Sequence, residues 1–227
     1  MENPKPGIVK KFNRNPVILL AFAIPMAAYL IGCSRHQASA FHPTPEDSIS
    51  IVREILAHRA EADKFFRTDP ASPFVRDTAI RYTGIKWFPP DLRYCFNSPL
   101  FRYDRPAQTT IYGTKGEPRP SLRYGYFVIS FEGKEYRLDV YKPAKDPSDP
   151  HLSIWFTDQT SGHETYHVGR YVDIGNENPD ARYVYFIDLN DAYNPYCAYS
   201  ALYSCAVPTK DDHLDFPVRA GEMNYSE

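Results

Sequence analysis

Four carboxylates and one guanidinium stand close to where strands are expected to end. Asp158, Glu164, Asp188 and Glu222 offer acid, base or ligand chemistry, and Arg170 offers a bidentate partner for one of them. Asp188 and Asn190 lie two apart at a strand end, so in extended geometry they share one face. Asn194-Pro195 is a turn-forming pair, and Tyr171 belongs to a Tyr-rich surround that supplies apolar area and hydroxyls. If the strands ending at Asp158 and Asp188 are neighbours, these groups converge on one rim. Asp158, Glu164, Arg170, Tyr171, Asp188, Asn190, Asn194 and Glu222 therefore form the expected pocket, with no acid, base or nucleophile assigned among them. The same residues equally serve as bracing, because Asp and Asn after strands cap turns and Arg–carboxylate pairs hold buried corners.

His163-Glu164-Thr165-Tyr166-His167 matches H-E-x-x-H, in which a helix sets two His on one face to hold zinc and Glu acts as base. The motif requires that helix. Gly162 and Gly169 leave only His163 to Val168 between them, under two turns at about 3.6 residues per turn. Arg170 stands where a longer zinc motif needs glycine, and Glu177, a later carboxylate that could serve as third ligand, lies in a Pro- and Asn-rich turn. The expected structure is a polar turn, with no metal and no other cofactor.

The N-terminus reads as an address. Lys5, Lys10, Lys11 and Arg14 precede an apolar run from Val17 to Ile31, shorter than the ~20 residues of a membrane span and broken by Pro25. It ends in Leu30-Ile31-Gly32-Cys33, which resembles the lipobox of bacterial lipoproteins. That resemblance implies cleavage before Cys33, lipidation of Cys33 and attachment to the cell envelope, at the outer membrane in a Gram-negative host because Ser34 follows. The expected division is a signal peptide at 1–32, a tether at 33–43 and a single β-rich domain at 44–227.

Of 227 residues, the leading 32 removed leave 195, a single-domain length. The leader's four basic residues exceed Glu2 by three, so a chain of net charge −2 becomes one of −5. An acidic exported domain makes a poor nucleic-acid binder. Its expected partners are the membrane, through the anchor, and a small ligand or an envelope protein. In an oxidising compartment Cys197 and Cys205 are expected to close a small disulfide loop, with Cys95 left over and buried. The same two cysteines with an Asp or His213 would make a metal site, which export disfavours.

The elements that must position these groups follow from period and punctuation. Thr44-Pro45 starts a helix, Ile49, Val52, Ile55, Leu56, Ala62 and Phe66 recur at roughly helical spacing, and Thr68-Asp69-Pro70 stops it. Beyond Gly84 the period becomes that of strands. Leu122 to Phe131 and Lys134 to Tyr141 flank Glu132-Gly133 as a hairpin, the second strand buried on one face only. Further strands are expected at 92–96, 109–112, 152–156, 170–174 and 182–189. With 18 Tyr, 14 Phe and 21 Pro, the fold is predicted to be mainly β. The expected arrangement is an antiparallel meander closing as a barrel or sandwich, with one N-terminal helix.

"FTDQTSGHETYHVGRYVD", "FIDLNDAYNPYCAYSALYSC" and "RAGE" together resemble the bacterial and archaeal family called domain of unknown function 1684. Its pattern holds Asp158, Thr160, Glu164, Thr165, Tyr166, Gly169 and Arg170, then Asn190, Asn194, Pro195, Cys197 and a second Cys, and finally Ala220, Gly221 and Glu222. Both His positions are free in it, which counts against the zinc reading. The chain departs from the pattern near Ala206 to His213. The resemblance implies a fold group and a site region but no activity. Three function classes remain: a lipid-anchored binding or accessory domain, a metal-assisted or carboxylate-based hydrolase at the Asp158 to Glu222 rim, and a structural envelope lipoprotein.

Overall fold

The computed structural model describes residues 41–225. The expected signal segment, Cys33 and most of the tether lie outside the described residues. Among those described, no helix is long and apolar enough to cross a membrane.

Helix α1 spans Pro45–Thr68. The Thr44 side chain accepts from the Asp47 amide at 3.1 Å and the Asp47 carboxylate accepts from the Thr44 amide at 3.3 Å, a capping box that satisfies otherwise orphaned donors. Glu46 and Asp47 in the first turn and Arg67 in the last suit the helix dipole. The buried stripe is Ile51, Ile55, Arg59, Phe65 and Phe66, whereas Ile49 and Leu56, expected inside, face out. Arg59 occupies a core position within that stripe. It donates to the Phe88 carbonyl at 2.8 Å and lies over the Trp87 ring.

The strands are β1 (Cys95–Pro99), β2 (Phe101–Tyr112), β3 (Pro118–Phe131), β4 (Lys134–Pro143), β5 (His151–Asp158), β6 (Arg170–Asn176), β7 (Val184–Asp188) and β8 (His213–Leu214). Strands β2 to β6 form the antiparallel meander in sequence order, with β8 added parallel to β5. Phe131 pairs with Lys134, so Glu132 and Gly133 are a two-residue turn; both have positive φ, 49° and 79°, as a hairpin matched to strand twist requires.

The meander does not close as a barrel. Instead of extending the large sheet from β6, β7 pairs antiparallel with β1 as a separate two-stranded sheet, Cys95 opposite Asp188. Alternation along this small sheet then builds the layers. Phe96, Tyr185 and Ile187 join the main core with Phe127, Ile129, Leu138, Val140, Ile154 and Phe156 of the large sheet. Cys95 and Phe186 point the other way, onto Ile51 and Ile55 of α1.

Strand β4 also departs from expectation. Asp139 and Tyr141 are as buried as Leu138 and Val140. The segment leading into β8 covers that face, and the Tyr141 hydroxyl donates to Asp212 at 3.1 Å. A sequence alternation reports exposure only where nothing returns over the polar face.

Candidate functional site

Arg170 opens β6 and is 1% exposed. Its Nη2 donates to Asp158 Oδ2 at 2.9 Å and to the Val218 carbonyl at 2.8 Å; its Nη1 donates to the carbonyls of Ala220 and Glu222 at 2.5 and 3.1 Å. Burial pulls the guanidinium pKa down and Asp158 pulls it back up. Guanidinium nonetheless stays charged, so the interior is organised around a cation. The other oxygen of Asp158 accepts from the amide and hydroxyl of Thr160 at 2.8 and 2.6 Å and from the Val218 amide at 3.0 Å. The Asp-x-Thr sequence is thus a turn whose carboxylate reaches back into the core and holds the C-terminal segment.

Residues 163–168 take the polar-turn form. The amides of His163, Glu164 and Thr165 all donate to the Thr160 carbonyl, at 3.1, 2.9 and 3.1 Å. Both His are exposed, and Glu164 pairs with Arg219 at 2.9 Å. Without a helix, the H-E-x-x-H spacing does not set its residues on one face. Glu177 is likewise engaged elsewhere, with Lys142 and the Tyr124 hydroxyl each 2.7 Å from its carboxylate and Arg102 at 2.5 Å.

Asp188 and Asn190 do not share an extended face. Asp188 caps a 3-10 turn at Leu189–Asp191, its Oδ1 accepting from the amide and side chain of Asn190 at 2.9 and 2.8 Å and from the Cys95 thiol at 3.4 Å. Asn190 then clamps Asp91, accepting from its amide at 2.8 Å and donating to its carbonyl at 2.9 Å. These side chains run toward the loop before β1, not toward Arg170. A third network centres on Glu222, whose carboxylate accepts from the Asn194 amide at 2.8 Å and from the Tyr199 hydroxyl. Burial first, then the Glu222 charge, pushes the Tyr199 hydroxyl pKa well up, which keeps it a donor. The Asn194 side chain donates to the Met223 carbonyl at 2.8 Å. Gly221 permits this approach: its φ is +78°, and a Cβ there would meet Ala192. Tyr171 is buried, its hydroxyl donating to the Ala206 carbonyl.

The structure therefore brings Asp158, Arg170 and the Glu222 backbone together, keeps Asp188 and Asn190 in a separate network, and leaves Glu164 on the surface. Seven of the eight expected pocket residues are buried. The open rim expected from the sequence is replaced by three braces.

A cavity of about 400 Å³ lies elsewhere, lined by Arg76, Lys115, Glu117, Arg119, Leu202, Tyr203 and Ser204. Its residues come from three distant segments without any local motif, so only the return of the 202–204 loop against the β2–β3 turn makes it. Sequence reasoning missed it. It adjoins Cys205. Cys197 and Cys205, expected to be joined, carry free thiols. The Cys197 amide donates to Cys205 Sγ at 3.3 Å. A second polar group that sequence reasoning missed is Asp212, buried beside Tyr141, where desolvation raises its carboxyl pKa against the opposing Thr209 hydrogen bonds.

Residues 80–223 match the family model described as protein of unknown function (DUF1684). The solution NMR structure of an uncharacterized protein from Haloarcula marismortui is similar, 26% identical, with a TM-score of 0.60. The similarity covers 79% of this chain and 97% of that one. No curated protein matches the sequence.

Proposed function

Because the chain belongs to the DUF1684 family of proteins of unknown function, we propose that it is an accessory domain of the cell envelope, tethered by lipid at Cys33 and acting through its outer surface on a protein partner. The observation that carries this reading is the burial of Arg170 against Asp158 and three backbone carbonyls. Acid–base hydrolysis at that rim needs two carboxylates in reach of water and substrate; Asp158, Asp188 and Glu222 are 2%, 4% and 0% exposed, and Glu164, the one at the surface, is paired with Arg219 at 2.9 Å. A small ligand at the same rim loses its support for the same reason. We read the two sheets, which contribute to one core, as a sandwich-type closure.

In cells making the full-length protein, labelled palmitate is expected on the wild type and not on Cys33→Ser, which should leave the membrane fraction. An unlabelled or freely soluble wild type removes the anchor. Hydrolysis of an ester or glycoside panel by purified protein, lost in a still-folded Glu222→Gln, would replace the accessory reading with an enzymatic one.

A further inference from the structure

Cys197 and Cys205 sit in unlike surroundings. A 3-10 turn at Tyr196–Ala198 carries Cys197, which is half-buried, whereas Cys205 is 5% exposed. Cys205 is fixed through its backbone: the Thr114 amide donates to its carbonyl at 2.9 Å, and its amide donates to the Thr114 hydroxyl at 3.2 Å. The Cys197 amide holds the Cys205 sulfur at 3.3 Å, so the two thiols are neighbours. The Tyr166 hydroxyl donates to the Cys197 carbonyl at 3.3 Å and reaches its sulfur at 3.8 Å. Tyr203 packs in the same cluster as both cysteines, and with Ser204 it lines the adjoining cavity. That cavity presents Arg76, Lys115 and Arg119 against the single carboxylate of Glu117.

We propose that Cys197 and Cys205 are an exchange dithiol for small anionic disulfides, the half-buried Cys197 attacking and the buried Cys205 resolving. The Cys197 thiolate adds to one sulfur of the external disulfide, whose S–S bond breaks, releasing one half as a thiolate and leaving a mixed disulfide on Cys197. Cys205 then loses its proton to a released thiolate and attacks the Cys197 sulfur. The second half leaves as thiolate and takes up the other thiol proton. The protein dithiol is oxidised by two electrons, and the external disulfide is reduced to two thiols.

The thiols are graded for these roles. Hydrogen bonding from Cys205, with Tyr166 and Thr114 adding to it, outweighs burial and sets the Cys197 pKa at about 7. A thiol with pKa near the ambient pH is the most effective attacker. The same contact with Cys197, together with burial, pushes Cys205 up, so it keeps its proton until the mixed disulfide forms. This chemistry is independent of the membrane anchor and would hold in the soluble domain.

The test uses oxidised glutathione, an anionic disulfide, and cystamine, a cationic one, on protein first reduced and then freed of reductant. Intact-mass analysis should show wild type losing two hydrogens, Cys205→Ser retaining one glutathione, and Cys197→Ser retaining none at that loop. Glutathione disulfide should react about tenfold faster than cystamine at low salt, and Arg76→Ala with Lys115→Ala should abolish that preference. Titration in mixed reduced and oxidised glutathione should populate both states reversibly. Cys197 and Cys205 still alkylated by iodoacetamide in the protein after oxidised glutathione overturn the proposal. So does a bond that stays closed at every glutathione ratio, which makes the loop a structural staple. Zinc or copper held by both thiols and lost in either variant makes it a metal site instead.

Discussion

At the residue scale, the decisive fact is where Arg170 puts its charge. Removing one partner of a buried pair strands the other, at about 3–5 kcal/mol. Asp158→Ala and Arg170→Met are each expected to lose that much in urea unfolding, and a double-mutant cycle should return a coupling of at least about 1 kcal/mol. Asp188→Asn belongs to a different network and keeps an oxygen for Asn190, so its loss should be about 1 kcal/mol. It should add to Arg170→Met without coupling. A strong coupling between positions 170 and 188 would mean that the two networks are one.

At the element scale, Glu177 ties three strands together, accepting from Arg102 of β2, Tyr124 of β3 and Lys142 of β4. Burial tends to raise its carboxyl pKa, but these partners, Lys142 foremost, outweigh burial and lower it. A depressed folded pKa gives stability that is present above the unfolded value and lost as pH falls through the folded one. Glu177→Gln should therefore cost about 1–3 kcal/mol at neutral pH, from the stranded Lys142, and flatten the stability loss seen as pH falls through and below the ordinary carboxylate range. An unchanged acid limb in urea midpoints would assign that loss to other carboxylates. The β3–β4 turn offers the opposite experiment. Glu132 holds a positive φ that favours Asn, so Glu132→Asn should gain about 0.5–1 kcal/mol, seen as a higher melting temperature.

At the scale of the whole molecule, the C-terminal segment is a clamp on the interior. Val218 and Ala220 accept from Arg170, Val218 donates to Asp158, and Glu222 binds Asn194 and Tyr199. Ending the chain at Pro217 should abolish cooperative unfolding, whereas a chain of residues 41–225 should melt close to the full-length protein. A cooperative transition in the shorter chain would show that the clamp is dispensable.

What the sequence by itself determined was local: the α1 cap at Thr44, the helix stop at Asp69, the Glu132-Gly133 hairpin and the consecutive pairing of β2 to β6. Each rests on residues near one another in the chain, where capping, turn geometry and period act directly. The family was legible too, because its spaced motifs lie within single stretches. Only the tertiary structure decided that β7 pairs with β1, that Arg59 enters the core, and that Asp158, Asp188 and Glu222 turn inward. A polar side chain after a strand looks the same in sequence whether it meets solvent or a buried partner dozens of residues away. Which one it meets depends on the segment that returns over it, and that return is set by packing of the whole core.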